Sequence, residues 1–309
     1  MREWIDIRVH RDEIIRRLPP DLGQQLDSAD EIARARKYSP DYESARRIFL
    51  PRDNPRWSDF LDMIARMEAE GHPAGGFGGH FIRRYAEKEL TGAELLLLLI
   101  TKVFEPPGEC CGTVYDESTV CSLCGAGRTQ VNDLHLQLKG VYQGWPSIPK
   151  AKHTGVARTI ADEVIVSYIV ADLMAEHGIS GAELRPVRGC GERAKVTPLW
   201  KQLCVTGNAG RTVPPTATGL GPFRQTDIDT DGTDYRCPRG HVSGLSLLSE
   251  IYLKRDAWDG SDVAATEDMF GVRVGVLVPA PFFLISQRFY QLLKESNVKG
   301  FKVEVAHLV

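Results

Sequence analysis

The segment Cys121-Ser-Leu-Cys124-Gly125 carries the clearest chemistry in this chain. Two thiolates separated by two residues can face one ion, because the turn between them curls back on itself. A glycine directly after the second lets backbone amides approach the sulfurs with no side chain in the way. Cys110-Cys111-Gly112 shares the Cys-Gly step. Thiolates and imidazoles at such spacings suit zinc in tetrahedral coordination. Cys111, Cys121 and Cys124 are the ligands read from this region. The fourth stays open. Cys110 is adjacent, but neighbouring residues seldom both reach one ion, and His135 lies downstream in a strand-like run. Cys237-Pro-Arg-Gly-His241 offers a thiol and an imidazole further on, so Cys237 and His241 complete the expected metal set. A redox role for Cys121/Cys124 would need a thioredoxin-like pattern ahead of it, and none is present. A Cys237/His241 nucleophile pair would need an orienting group and an oxyanion site. No catalytic residue is assigned.

The elements that must position these ligands are written twice. Val164–Val187 and Phe283–Ala306 align without a gap. Each opens with an apolar strand-like run and continues with a serine suited to cap a helix (Ser167, Ser286). Apolar positions then recur at helical spacing: Val170, Leu173 and Met174 against Phe289, Leu292 and Leu293. Gly178 and Asn297, the two residue types that tolerate a left-handed helix end, fall at the same place. After Gly181 and Gly300 each copy turns strand-like again. Cys121 precedes Ser167, and Cys237 precedes Ser286, by nearly the same distance, so each copy of the repeat includes potential ligands. The expected fold is α+β: a duplicated strand–helix–strand unit with a zinc-ribbon-like cysteine cluster, plus an N-terminal, mostly helical region. The boundaries read are 1–88 for that region and 89–309 for the duplicated part, with copies around 110–187 and 237–309.

In the N-terminal region Trp4–Val9 alternates as a strand, and helices are expected over Asp12–Leu18, Ala29–Lys37 and, capped by Ser58, to Glu70. Arginines and aromatics interleave from Arg34 to Trp57, including Phe49 and Arg52, but acidic residues largely cancel them. Gly71–Gly79 reads as a linker, since it follows a helix and lacks the Lys-Ser/Thr of a phosphate loop. Glu89–Glu105 reads as a helical turn leading into a buried strand, and Val272–Leu277 as a further strand. Asp227–Gly232 matches the opening of a calcium loop. Its twelfth position is Pro238, where a carboxylate is needed, so it reads as an acidic turn. Gly240–Gly244 has the wrong spacing for a nucleophile elbow.

The whole chain has 309 residues, 42% hydrophobic and 26% charged, with net charge −3. That balance argues against a protein built to coat nucleic acid. The first twenty residues have no apolar signal core, and Leu95–Ile100 is too short to span a bilayer, so a cytoplasmic protein without membrane contact is expected. Seven cysteines in such a chain suggest reduced thiols and metal in place of disulfides.

A CxxCG segment, a second cysteine-containing copy and a Ser–helix–Gly–strand unit after each resemble the bacterial double-CxxCG motif proteins. The resemblance spans residues 90–309 and is carried by Cys121-Ser-Leu-Cys124-Gly125 and Phe283–Val305; the second motif departs from it as Cys237-Pro-Arg-Gly-His241. Several members of that family are described as immunity proteins, so the resemblance implies a cognate toxin as partner and a non-enzymatic, zinc-stabilised inhibitor. The alternative is a zinc-ribbon protein binding nucleic acid through the Arg/aromatic stretch and Arg128.

Overall fold

The computed structural model describes residues 1–9, 24–25, 46–71, 77–142, 145–146, 148–191, 194–220, 224–226, 237–241, 246–271 and 278–309. The helices expected over Asp12–Leu18 and Ala29–Lys37, the acidic turn Asp227–Gly232 and the strand Val272–Leu277 lie outside the described residues. Two units are distinguished: residues 1–86 with 218–226, and residues 87–217 with 227–309.

In the first unit β1 (Arg2–Val9), β2 (Gln24–Gln25), β3 (Arg46–Pro51) and β4 (Phe77–Arg84) form one antiparallel sheet in the order β2-β3-β1-β4. Helix α1 (Arg56–Ala69) connects β3 to β4, which flank β1, the arrangement of a split β–α–β unit. The described part of this region is thus mostly sheet, where the sequence suggests mostly helix. Phe77–Gly79, read as linker, opens a strand instead. The helix also starts two residues ahead of its expected cap, because the Asn54 side chain accepts the Arg56 amide at 2.9 Å. Ile5, Ile7 and Ile48 bury one face of the sheet against Phe60, Met63, Ile64 and Met67 of α1.

The second unit begins with α2 (Glu87–Gly92), β5 (Leu95–Ile100) and β6 (Val103–Phe104), the helical turn and buried strand expected. There follow β7 (Tyr115–Asp116), β8 (Thr129–Gln130), β9 (Leu134–His135) and the short hairpin β10 (Val141–Tyr142) and β11 (Trp145–Pro146). Next come β12 (Val156–Thr159), β13 (Val164–Ser167), α3 (Tyr168–Glu176), β14 (Ala182–Arg188), β15 (Val196–Val205) and β16 (Gly207–Asn208). After β17 (Thr218–Leu220) and β18 (Arg224–Thr226), which belong to the first unit, come β19 (Ser246–Leu247), β20 (Ile251–Leu253) and β21 (Val263–Phe270). The last elements are β22 (Ala280–Ser286), α4 (Gln287–Glu295) and β23 (Phe301–Leu308).

Two six-stranded sheets organise this unit, in the orders β6-β12-β13-β15-β14-β9 and β16-β21-β22-β5-β23-β20. Their pairings correspond position by position. In the first sheet β13 and β14 flank β15, both antiparallel to it; in the second β22 and β23 flank β5 in the same way. The registers agree as well. Ile165 opposes Gln202 and Ala182 opposes Val205, while Leu284 opposes Leu97 and Phe301 opposes Ile100. The outer strands match too, since β6 and β16 run parallel to β12 and β21, and β9 and β20 run parallel to β14 and β23. The middle strand of the second sheet, β5, therefore precedes every strand of the first, whereas β15 follows β14 directly and pairs with it.

One core joins these sheets and both helices: Leu96, Leu98, Val156, Val166, Leu203, Val263 and Ile285 pack with Val170, Met174, Phe289 and Leu293. Each sheet covers its opposite face separately, with Leu95, Leu97, Ile251 and Leu284 in one case and Leu134, Ile165, Val187 and Trp200 in the other. Burial on both faces explains the uninterrupted apolar run of β5.

The two helix starts differ. Ser286 accepts the Phe289 amide, and its hydroxyl donates to Asp262 at 2.7 Å; Asp262 also accepts the amide and hydroxyl of Ser180. The corresponding backbone position in the other half is Gly155, whose carbonyl accepts the Ser167 amide just as that of Asp262 accepts the Ser286 amide. With no carboxylate there, the Ser167 hydroxyl is fully buried without a hydrogen-bond partner. Urea unfolding should separate the pair. Ser286→Ala is expected to cost about 1–2 kcal/mol, through a lost cap and an underused carboxylate. Ser167→Ala is expected to be neutral or slightly stabilising, because it removes a hydroxyl that satisfies nothing.

Candidate metal centre

The first ligand pair sits at the end of the β7/β8 hairpin. In the tight turn the Gly125 amide donates to the Cys121 carbonyl and the Cys121 amide to the Ala126 carbonyl, both at 2.8 Å. The second pair is held by a matching turn, in which the Gly240 amide donates to the Cys237 carbonyl and the Cys237 amide to the His241 carbonyl, both at 2.9 Å. Gly125 and Gly240 both have the left-handed backbone that closes such a turn, with φ of 78° and 87°.

Together the turns bring Cys121, Cys124, Cys237 and His241 into one cluster, whose four ligand atoms all lie within 4.8 Å of one another. The Cys121 and Cys237 sulfurs are 3.5 Å apart, and the Cys124 sulfur is 3.4 Å from Nδ1 of His241. Zinc–sulfur bonds of about 2.3 Å at tetrahedral angles require sulfur–sulfur edges of roughly 3.8 Å, so these separations fit one ion with little rearrangement. The three cysteines are buried and the histidine is exposed. The Cys121 thiol is held down to about 6, chiefly by the amides of Cys124 and Leu123. Burial pushes Cys124 up to about 11. A cluster with one thiolate formed in advance and three buried sulfurs can hold a soft divalent ion.

Cys111 is not part of this cluster. It is disulfide-bonded to Cys190, with Cα atoms 4.5 Å apart. Both the expectation of wholly reduced thiols and the place of Cys111 in the metal set are thereby corrected. The partner lies 79 residues away, at the end of β14, and spacing alone cannot reveal such a pairing. Cys110 is exposed, and His135, the other considered ligand, is buried in β9 with Nδ1 unpartnered. Alkylation of the unfolded protein without reductant should modify the five free cysteines; after reduction it should modify all seven. Seven modified before reduction would rule the bond out.

A buried carboxylate anchors the hairpin. Glu163 accepts the Gly108 amide at 2.8 Å and the Thr159 hydroxyl at 2.5 Å, and it also accepts the Tyr115 hydroxyl at the root of β7. Burial, reinforced by the charge of Glu163, pushes the Tyr115 phenol well up, so it stays a donor. The Arg128 guanidinium stacks 3.7 Å over the Tyr115 ring and pairs with Glu109 at 2.5 Å, which ties Arg128 to the hairpin's own support. Neither Glu163 nor Cys190 carries a local signal in the sequence; both act through partners far along the chain.

Fold and site together define an α+β protein with a Cys3His cluster able to hold a metal ion, and no described helix is long and apolar enough to cross a membrane. No protein-family model matches the chain, and no curated protein matches it either.

Proposed function

We propose that this is a non-enzymatic binding protein pinned by a structural zinc ion, and that it acts as an immunity-type inhibitor of a cognate bacterial toxin in the cytoplasm. The observation that carries the reading is the closed ligand set: four protein donors within 4.8 Å of one another would fill all four positions of a tetrahedral zinc and leave none for substrate or water. Such a site stabilises; it does not turn over. The matched registers of the two sheets support a duplicated unit in which each half supplies one ligand pair. The toxin assignment draws on the resemblance of Cys121–Gly125 and Phe283–Val305 to the double-CxxCG proteins. The purified protein is expected to bind the toxin encoded beside its gene and to protect cells that express it. Absence of both binding and protection removes the assignment and leaves the metal site untouched.

A further inference from the structure

We infer that the Cys111–Cys190 disulfide is a thiol-exchange site, opened by a small thiol such as glutathione at the Cys190 sulfur, with the His135 imidazole pairing the Cys111 sulfur that is released. Neither the metal reading nor the toxin reading enters it. The two sulfurs are not equally accessible. Cys190 is exposed just past the end of β14, whereas Cys111 is 5% exposed at the end of the short turn Gly108–Cys111. Thiol attack needs access to one sulfur of the pair, and Cys190 is the one that offers it.

His135 supplies the second observation. It is 8% exposed, and its Nδ1 is buried with no hydrogen-bond partner among the described residues. Parallel pairing sets Leu134 beside Val187 in the core, so His135 and Arg188 lie on the other face of the sheet. A methyl on Gly189 would point back to Leu138 on the core side, which returns Cys190 to the face of His135. Gly112, directly after Cys111, comes so close that a methyl on it would lie 3.4 Å from Nδ1. The imidazole thus stands beside the stretch that holds the bond, approached from both of its cysteines. A disulfide has no hydrogen to donate and accepts poorly, so the oxidised state leaves Nδ1 unpaired. Reduction turns Cys111 into a thiol that donates to Nδ1, or a thiolate that accepts from it. A buried polar group unpaired in one state favours the other.

The exchange balances with small thiols alone. The attacking thiolate bonds to Cys190 Sγ, the Cys111–Cys190 bond breaks, and its electron pair leaves on the Cys111 sulfur. That sulfur takes up a proton equivalent to the one the attacking thiol lost. A second small thiol attacks the mixed disulfide, frees Cys190 and departs as the oxidised dimer, so two electrons pass from the small thiols to the protein.

The test uses full-length Cys110→Ser protein, so that the exposed free thiol beside Cys111 cannot intercept the mixed disulfide. After incubation with reduced glutathione at neutral pH and an acid quench, peptide mass mapping should place the glutathione on Cys190 and a free thiol on Cys111. Equilibration in glutathione redox buffers then tests His135. His135→Leu should hold the disulfide about tenfold more firmly against reduction, because the reduced state no longer gains a partner for Nδ1. A purely structural histidine would move the balance the other way, since a loosened segment is easier to reduce. Thermal unfolding confirms that each variant is folded. Glutathione on Cys111 in place of Cys190 overturns the inference. So does a disulfide that stays closed, or a His135→Leu balance equal to that of the parent or shifted toward reduction.

Discussion

Cys237→Ala is expected to abolish metal binding by the whole protein, although the residue lies 116 positions from its sulfur neighbour Cys121. Elemental analysis should find one zinc per chain in the wild type and essentially none in the variant. Cys111→Ala, which removes a disulfide partner and not a ligand, should keep its zinc. The physical reason is that a Cys-x-x-Cys pair alone supplies half a coordination shell, and the other half comes only when the turn at Cys237 is folded against it. Structural zinc contributes on the order of 10 kcal/mol of apparent binding energy in finger peptides at pH 7. Losing even about 3 kcal/mol of that would lower the thermal midpoint by roughly 6–12 °C in a unit of this size. Zinc retained by Cys237→Ala, or lost from Cys111→Ala, would refute the ligand assignment.

Gly300→Ala and Gly181→Ala are expected to be the most damaging single-methyl changes in the second unit. Both glycines have left-handed backbones, with φ of 105° and 82°. A methyl group at Gly300 would overlap the Val156 carbonyl oxygen, and one at Gly181 would overlap that of Val263. Backbone cannot rotate away as a side chain can. Each glycine carbonyl also accepts two amides from the chain as it leaves a central strand: Thr101 and Lys102 at Gly300, Thr206 and Gly207 at Gly181. Moving the glycine would break the crossover by which the chain leaves β5 for β6, or β15 for β16, in the other sheet. We expect a loss of more than about 4 kcal/mol in urea unfolding, or failure to accumulate as folded protein. Gly178→Asn is the control. Gly178 also has a left-handed backbone, but a methyl there meets nothing within 4 Å, and Asn297 already holds the corresponding place. It should change stability little. If Gly300→Ala behaved like Gly178→Asn, the close approach at the crossover would be refuted.

Local signals were readable wherever one residue type has one physical use. The apolar period of α3 and α4, the left-handed positions at Gly178 and Asn297, and the Cys121/Cys124 turn all stand where the sequence puts them. So does the burial of β5, because six apolar residues in a row admit few other fates. The sequence also brought Cys237 and His241 into view as ligands, through their offset from the second copy of the helix.

Tertiary structure alone decided the rest. Whether a capping serine is used depends on a residue elsewhere: Asp262 satisfies Ser286, and glycine at 155 leaves Ser167 with nothing. Cys111 looks like a ligand by its Cys-Gly step, yet β14 carries Cys190 to it and takes it out of the metal set. The N-terminal region illustrates the same limit, since Phe77–Arg84 follows a glycine-rich stretch and becomes a strand only because β1 offers it an edge. Periodicity and turn chemistry are properties of a few consecutive residues and so are legible in the chain. Sheet order, disulfide pairing and the closing of a four-ligand shell are set by contacts between residues scores apart, where burial and hydrogen bonding choose among partners that spacing leaves equivalent.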